Sequence, residues 1–151
     1  MRYLDRRGMS LIELVVGVAL LLTVFLALFG ILRASLALSS LAKAKAVAVE
    51  LASSQMEYLR SVPYSSLGTV GGTPNGLIPS VATSTVGGAA YPVYTTIRYV
   101  DDPADGSGGS DANNVTTDYK KAQVTVRYTA NGHENSLTLV SNFAPNGMET
   151  P

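Results

Sequence analysis

The pattern of apolar and polar positions changes twice along the chain. Residues 14–32 (LVVGVALLLTVFLALFGIL) are nineteen consecutive positions without a charge, interrupted only by Gly17, Thr23 and Gly30. A soluble core helix keeps a polar stripe, and this run has none. At 1.5 Å per residue it reaches about 28 Å, close to the hydrocarbon thickness of a bilayer, so the pattern predicts a membrane-spanning helix. Residues 34–61 are rich in Ala, Leu and Lys, contain no Gly or Pro, and keep a 3.6-residue period. Leu38, Leu41, Ala44, Ala48, Leu51, Gln55 and Leu59 follow one stripe, while Lys43, Glu50 and Glu57 recur on another. This is an amphipathic continuation of the span. Val62 precedes Pro63, which disfavours helical geometry at Val62 and ends the helix there. An uninterrupted helix from about Met9 to Ser61 would be roughly 80 Å long.

After Pro63 the period shortens to two. Gly71-Gly72, Asn75-Gly76 and Gly87-Gly88 mark turns, so residues 63–90 are expected as a linker or loop with uncertain strands near 77–85. Three firmer strands follow, at residues 92–100 (PVYTTIRYV), 119–129 (YKKAQVTVRYT) and 134–143 (ENSLTLVSNF). Alternation turns Ala122, Val124, Val126 and Tyr128 inward, with Leu137, Leu139, Ser141 and Phe143 as the matching set. Ala130-Asn131-Gly132-His133 joins these two strands as a hairpin turn. A three- or four-stranded antiparallel sheet with one apolar face needs cover, and the stripe from Leu38 to Leu59 supplies it. The expected fold class is therefore α+β: a long N-terminal transmembrane and amphipathic helix packed on a small antiparallel sheet head at residues 91–151.

Composition sharpens this division. The 151 residues balance 11 Lys plus Arg against 11 Asp plus Glu, yet residues 1–60 carry +3 and residues 61–151 carry −3. All seven Pro and 11 of the 14 Gly lie after residue 61, where the chain must turn often. The chain has no Cys and one His, His133. Disulfides, Cys-bearing zinc sites, thiol catalysis and His-based metal clusters are thereby excluded. No arrangement of residues points to an enzyme.

Glu13 is the exception inside the apolar segment. A carboxylate at the centre of a span costs about 2.5–3.5 kcal/mol, less near its edge, unless it snorkels or finds a partner. Upstream, Arg2, Arg6 and Arg7 favour a cytoplasmic N-terminus, although Arg33, Lys43 and Lys45 on the far side leave the charge bias nearly even. A secretory signal peptide is the competing reading. Its apolar region would run about 7–15 residues, shorter than the nineteen found here.

The segment Arg6-Arg7-Gly8-Met9-Ser10-Leu11-Ile12-Glu13, followed by the apolar run, resembles the cleavage and methylation signature of type IV prepilins and pseudopilins. The resemblance covers residues 1–62 and implies a leader at 1–8, a transmembrane half at 9–33 and an amphipathic half at 34–62. It implies that a prepilin peptidase cuts between Gly8 and Met9, that the new amine of Met9 is methylated, and that Glu13 meets the N-terminal amine of a neighbouring subunit. The implied partners are the peptidase, other pilin or pseudopilin subunits, an inner-membrane assembly platform and membrane lipid. The implied location is the inner membrane, with an extracytoplasmic head, and then a periplasmic or cell-surface filament. The small, Cys-free head resembles minor pilins and pseudopilins more than a major pilin. The alternative function is a membrane-anchored or filament-tip adhesin, or a DNA-uptake binding module.

Two further features bear on binding. Residues 101–118 hold five carboxylates, Asp101, Asp102, Asp105, Asp111 and Asp118, which suit the oxygen chemistry of calcium. The spacing is poor as an EF-hand, because Pro103 and Ala112 fall on ligand positions, and a solvated connecting loop is the favoured account. No other cofactor is implied. Arg98, Lys120, Lys121 and Arg127 would make a small basic patch, with Lys120 solvating a strand edge. Four charges against an acidic head are too few to gather phosphate, so nucleic acid is not the expected partner. The six tyrosines after residue 61 are read as half-buried sheet residues and His133 as surface.

Overall fold

The computed structural model describes residues 10–102, 106 and 117–145. Gly8, Met9, Asp105 and Asp111 lie outside the described residues. The chain divides into two units, residues 1–40 and 41–151, and a single helix, α1 (Leu11–Ser61), runs through the boundary.

In the first unit every large apolar side chain from Leu11 to Leu38 is exposed, between 50 % and 79 %. The helix is long and apolar enough to cross a membrane, and none of its most apolar stretch is buried. The Thr23 hydroxyl, its one polar interruption, donates to the carbonyl of Ala19 at 2.9 Å. That bond satisfies the hydroxyl within the helix, as an apolar surrounding requires.

The second unit is built on the rest of α1. Ala48, Ala52, Met56 and Leu59 are buried, at spacings of four, four and three that keep them on one helix face. The two alanines let the backbone approach the sheet closely. The expected stripe holds from Leu41 to Leu59, with two corrections. Leu38 is 66 % exposed, one turn short of the cover it was assigned. Ala52 and Met56, which that stripe omitted, sit in the core beside it. The helix stops at Ser61, two residues before Pro63.

Against this face lies a four-stranded antiparallel sheet in sequence order, β1 (Val81–Val86), β2 (Ala89–Val100), β3 (Tyr119–Ala130) and β4 (His133–Phe143). The architecture is α+β, a long apolar N-terminal helix packed on an antiparallel sheet, consistent with the layout expected above. The inward set is the one that alternation selected. Ala122, Val124, Val126 and Tyr128 are buried, and Ala122, Val124 and Val126 face Ser141, Leu139 and Leu137 across the ladder. Asn131 (φ 53°) and Gly132 (φ 78°) both take left-handed backbone geometry, the two-residue turn that suits the twist of a hairpin. His133 pairs with Ala130 at the start of β4 and is exposed.

Residues 63–90 depart from the linker expected of them. They hold a 3-10 turn (Tyr64–Ser66), a tightly bonded loop, all of β1 and the first two residues of β2. Within the loop Val70 N–H donates to Ile78 O at 2.9 Å and Ile78 N–H to Gly68 O at 3.0 Å, while Leu67, Thr69 and Ile78 are buried. Glycine is obligatory at two points. A Cβ on Gly76 would strike the Ser66 carbonyl and the Gly68 amide, and one on Gly68 would meet the Pro74 carbonyl at 2.5 Å. Small polar residues here read as a linker because much of the loop is held by backbone bonds, which leave no side-chain pattern.

Candidate functional site

Two places concentrate chemistry, one in each unit. In the first, Ser10 precedes α1 and its carbonyl accepts from Leu14 N–H at 3.1 Å, which sets Glu13 in the first turn. There the free amides and the helix dipole favour a carboxylate. Glu13 is exposed, and among the described residues it has no ionic partner. With the Thr23 hydroxyl satisfied internally, the groups of this unit's apolar stretch whose burial would demand a partner are the charges at its two ends, Glu13 and Arg33.

The second place is the buried Lys120, and here the structure corrects the sequence reading. Lys120 is 2 % exposed and does not solvate a strand edge. It shares the parity of Ala122, Val124 and Val126, so its side chain enters the inner face of β3. Its Nζ donates to the carbonyls of Tyr64 at 2.6 Å and Leu67 at 2.7 Å. The ammonium also lies 4.4 Å from the ring centre of Tyr64 and 5.5 Å from that of Tyr99. Burial lowers its pKa from the usual 10.5. Tyr64 is pushed upward from 10.0, first by burial and then by Tyr99 and Asp118, and its hydroxyl is buried without a hydrogen-bond partner among the described residues.

This arrangement is a tie between strand and turn. Both carbonyls belong to the turn that follows α1, so one ammonium from the third strand holds the helix exit against the sheet. Among the described residues no carboxylate is paired with it, and the two carbonyl dipoles and the ring faces stabilise the charge. A cavity of about 380 Å³ adjoins the tie, lined by Arg60, Val62, Tyr64, Leu67, Phe143 and Pro145 among others. Arg60 is engaged by Glu57 at 2.6 Å.

The structure disperses the expected basic patch. Lys120 is inside, and Arg127 lies over the Tyr94 ring at 4.9 Å and 3.6 Å from Glu134. Arg98 and Lys121 remain, directly opposite each other on the outer face of β2 and β3. Of the acidic loop, Asp101, Asp102 and Asp118 stand at its two ends, where Asp102 N–H donates to Asp118 Oδ2 at 2.7 Å. Among the described residues no group of three or more His, Cys, Asp or Glu is placed to hold a metal ion. Of the head tyrosines, Tyr91 and Tyr128 are buried and Tyr99 is 42 % exposed.

Comparison of the chain with protein-family models, with characterised proteins and with solved structures gave no match.

Proposed function

We propose that the chain is a structural subunit, a minor pilin or pseudopilin of a type IV pilus or type II secretion-like filament. In this reading a prepilin peptidase removes residues 1–8, Met9 is N-methylated, and α1 anchors the subunit in the inner membrane with its head outside the cytoplasm. Subunits then pass to an assembly platform and pack their apolar stalks together. The observation that carries the reading is an unburied apolar helix of membrane length bearing one carboxylate, Glu13, in its first turn. Beside the amine of another subunit, that carboxylate would turn two costly intramembrane charges into a close pair and fix axial register. Among residues 41–145 the described groups form ties and a core, which suits a head that is displayed rather than one that transforms a substrate.

The N-terminal mass of the protein recovered from membranes tests this. A chain beginning at methylated Met9 supports the proposal. One beginning just after the small-residue site Ala44-Lys45-Ala46 identifies a signal peptide, and an intact Met1 identifies a plain anchor; either result removes the pilin reading. Of the basic patch that a DNA-uptake role would draw on, Arg98 and Lys121 remain together.

A further inference from the structure

Among the described residues the sheet has two free edges, β1 and β4, and neither carries the usual protection of an edge strand. Neither contains proline or lysine. Strand β1 (VATSTV) has no charge at all. The one acidic group of β4, Glu134, lies 3.6 Å from Arg127 of the neighbouring strand. On the inner side of β4, Leu137, Leu139 and Phe143 are only partly covered. An eleven-residue edge with half-covered leucines is unfinished.

The turns show which backbone groups face outward. In a two-residue hairpin the residues flanking the turn bond to each other, and the bonded positions then alternate. From the pair Ala130 and His133, the odd residues of β4 bond to β3, so Glu134, Ser136, Thr138, Val140 and Asn142 direct N–H and C=O to the free edge. From the pair Val86 and Ala89 around Gly87-Gly88, the even residues of β1 bond to β2, so Val81, Thr83 and Thr85 direct theirs outward. On both strands these are also the residues whose side chains point away from the core. An antiparallel pairing of β4 with β1 of another copy therefore matches hydrogen bonds and sheet faces in the same registers. It also sets the uncharged β1 against a β4 whose one acidic group is engaged by Arg127, with Ala82 and Ser84 beside the half-covered leucines.

Strand number selects this pairing over the others. A four-stranded meander has edges that run in opposite directions, so copies pointing the same way meet as β4 against β1 and continue the antiparallel order. Pairing β4 with β4 would require heads that point opposite ways, which a polar filament excludes. We propose that β4 of one subunit pairs with β1 of a second copy of this chain, joining heads side by side into a continuous sheet. The contact is head-to-tail and leaves a free edge at each end, the geometry of an open assembly. It rests on the filament reading for the common direction of the heads.

The chain has no cysteine, so introduced thiols report on one contact only. Thr83→Cys and Val140→Cys, both exposed, are placed in the full-length protein and treated in membranes with a short bismaleimide. The double variant should give a ladder of covalent multimers, and the two single variants should give dimers only when co-expressed. Dimers from Val140→Cys alone would show paired β4 strands and overturn the proposal. So would thiols that react with a monofunctional maleimide yet never cross-link while subunits still sediment as an assembly. Adding Glu13→Ala separates the two readings. Loss of the ladder with cleavage retained supports both, and a ladder that persists overturns stalk-driven assembly while leaving the strand pairing in place.

Discussion

Replacing Lys120 by Met tests whether the buried ammonium holds the head together. Methionine keeps the length and apolar stem of the side chain and removes the donor. The carbonyls of Tyr64 and Leu67 then lose bonds of 2.6 Å and 2.7 Å. A hydrogen bond to a charged group contributes about 1.5–3 kcal/mol net, and a cation over a ring about 0.5–1 kcal/mol or more when desolvated. Against these stands the desolvation of an ammonium that is 2 % exposed, several kcal/mol that the variant no longer bears. The difference leaves the variant less stable by about 2–4 kcal/mol, because two buried carbonyl oxygens are orphaned rather than replaced. For a head of this size that is about 10–25 °C in melting temperature.

The assay is thermal unfolding of the detergent-solubilised full chain, followed by near-ultraviolet circular dichroism of the tyrosines, six of which lie after residue 61. Far-ultraviolet dichroism would be dominated by α1 and would miss the event. A variant that melts at or above the wild-type temperature would refute the reasoning. It would mean that desolvation outweighs the two bonds, as it does in buried ion pairs that are replaced by apolar groups with a net gain.

Other perturbations separate the remaining claims. Burial lowers the Lys120 pKa below 10.5, so between the folded-state value and 10.5 the unfolded chain holds a proton that the folded chain has released. The stability contributed by this group therefore rises as pH climbs through that window, and the gap between wild type and Lys120→Met in denaturant midpoint should widen toward pH 10.5; a narrowing gap would mean the carbonyls and rings raise the pKa instead. Tyr64, raised above 10.0, works the other way above that pH, and because it touches Lys120 the comparison is read up to pH 10.0. Leu59→Ala removes a fully buried side chain from the helix–sheet contact and should destabilise the head by about 2–5 kcal/mol, measured by the same melt. Glu13→Ala should leave leader cleavage intact and abolish assembly, whereas Gly8→Ala should block cleavage; immunoblots of membrane and sheared-filament fractions read both.

Much of this architecture is legible in the residues, and the gaps have definable causes. The inward face of β3 follows from alternation alone because Ala122, Val124 and Val126 have no competing polar residue among them. The same count, carried one step further, places Lys120 inside. The charge of Lys120 made a surface position look natural, yet its four-carbon stem can lie along a core while the ammonium reaches carbonyls. Strand β1 was harder to see. VATSTV is short, its side chains are exposed or half-exposed, and its pairing is with Ala89–Tyr94 rather than with any apolar pattern of its own. The loop before it is fixed by backbone bonds between Gly68, Thr69, Val70, Pro74 and Ile78, which no side-chain periodicity records.

The exposed half of α1 decides what the subunit requires of its surroundings. Eighteen large apolar side chains from Leu11 to Leu38 are at least half exposed. At roughly 1 kcal/mol for each half-exposed side chain, leaving them in water would forfeit on the order of 20 kcal/mol, more than the whole stability of an ordinary domain. Water is therefore a costly environment for the uncharged run at residues 14–32, which lipid or, in the proposed filament, other stalks would cover. Between those two, apolar area does not choose, because lipid tails cover leucine as well as another leucine does. The choice falls to polar groups. Thr23 is satisfied by its own helix and exerts no preference. Glu13 does exert one, since in lipid it must snorkel or bear a desolvation penalty, and beside a cationic amine it need do neither. On this argument the preference for assembly over dispersal in lipid resides largely in one carboxylate. Substituting Gln, which keeps shape and hydrogen bonding but removes the charge, should then abolish assembly nearly as completely as Ala; assembly by Glu13→Gln at wild-type level would transfer the driving force to stalk packing.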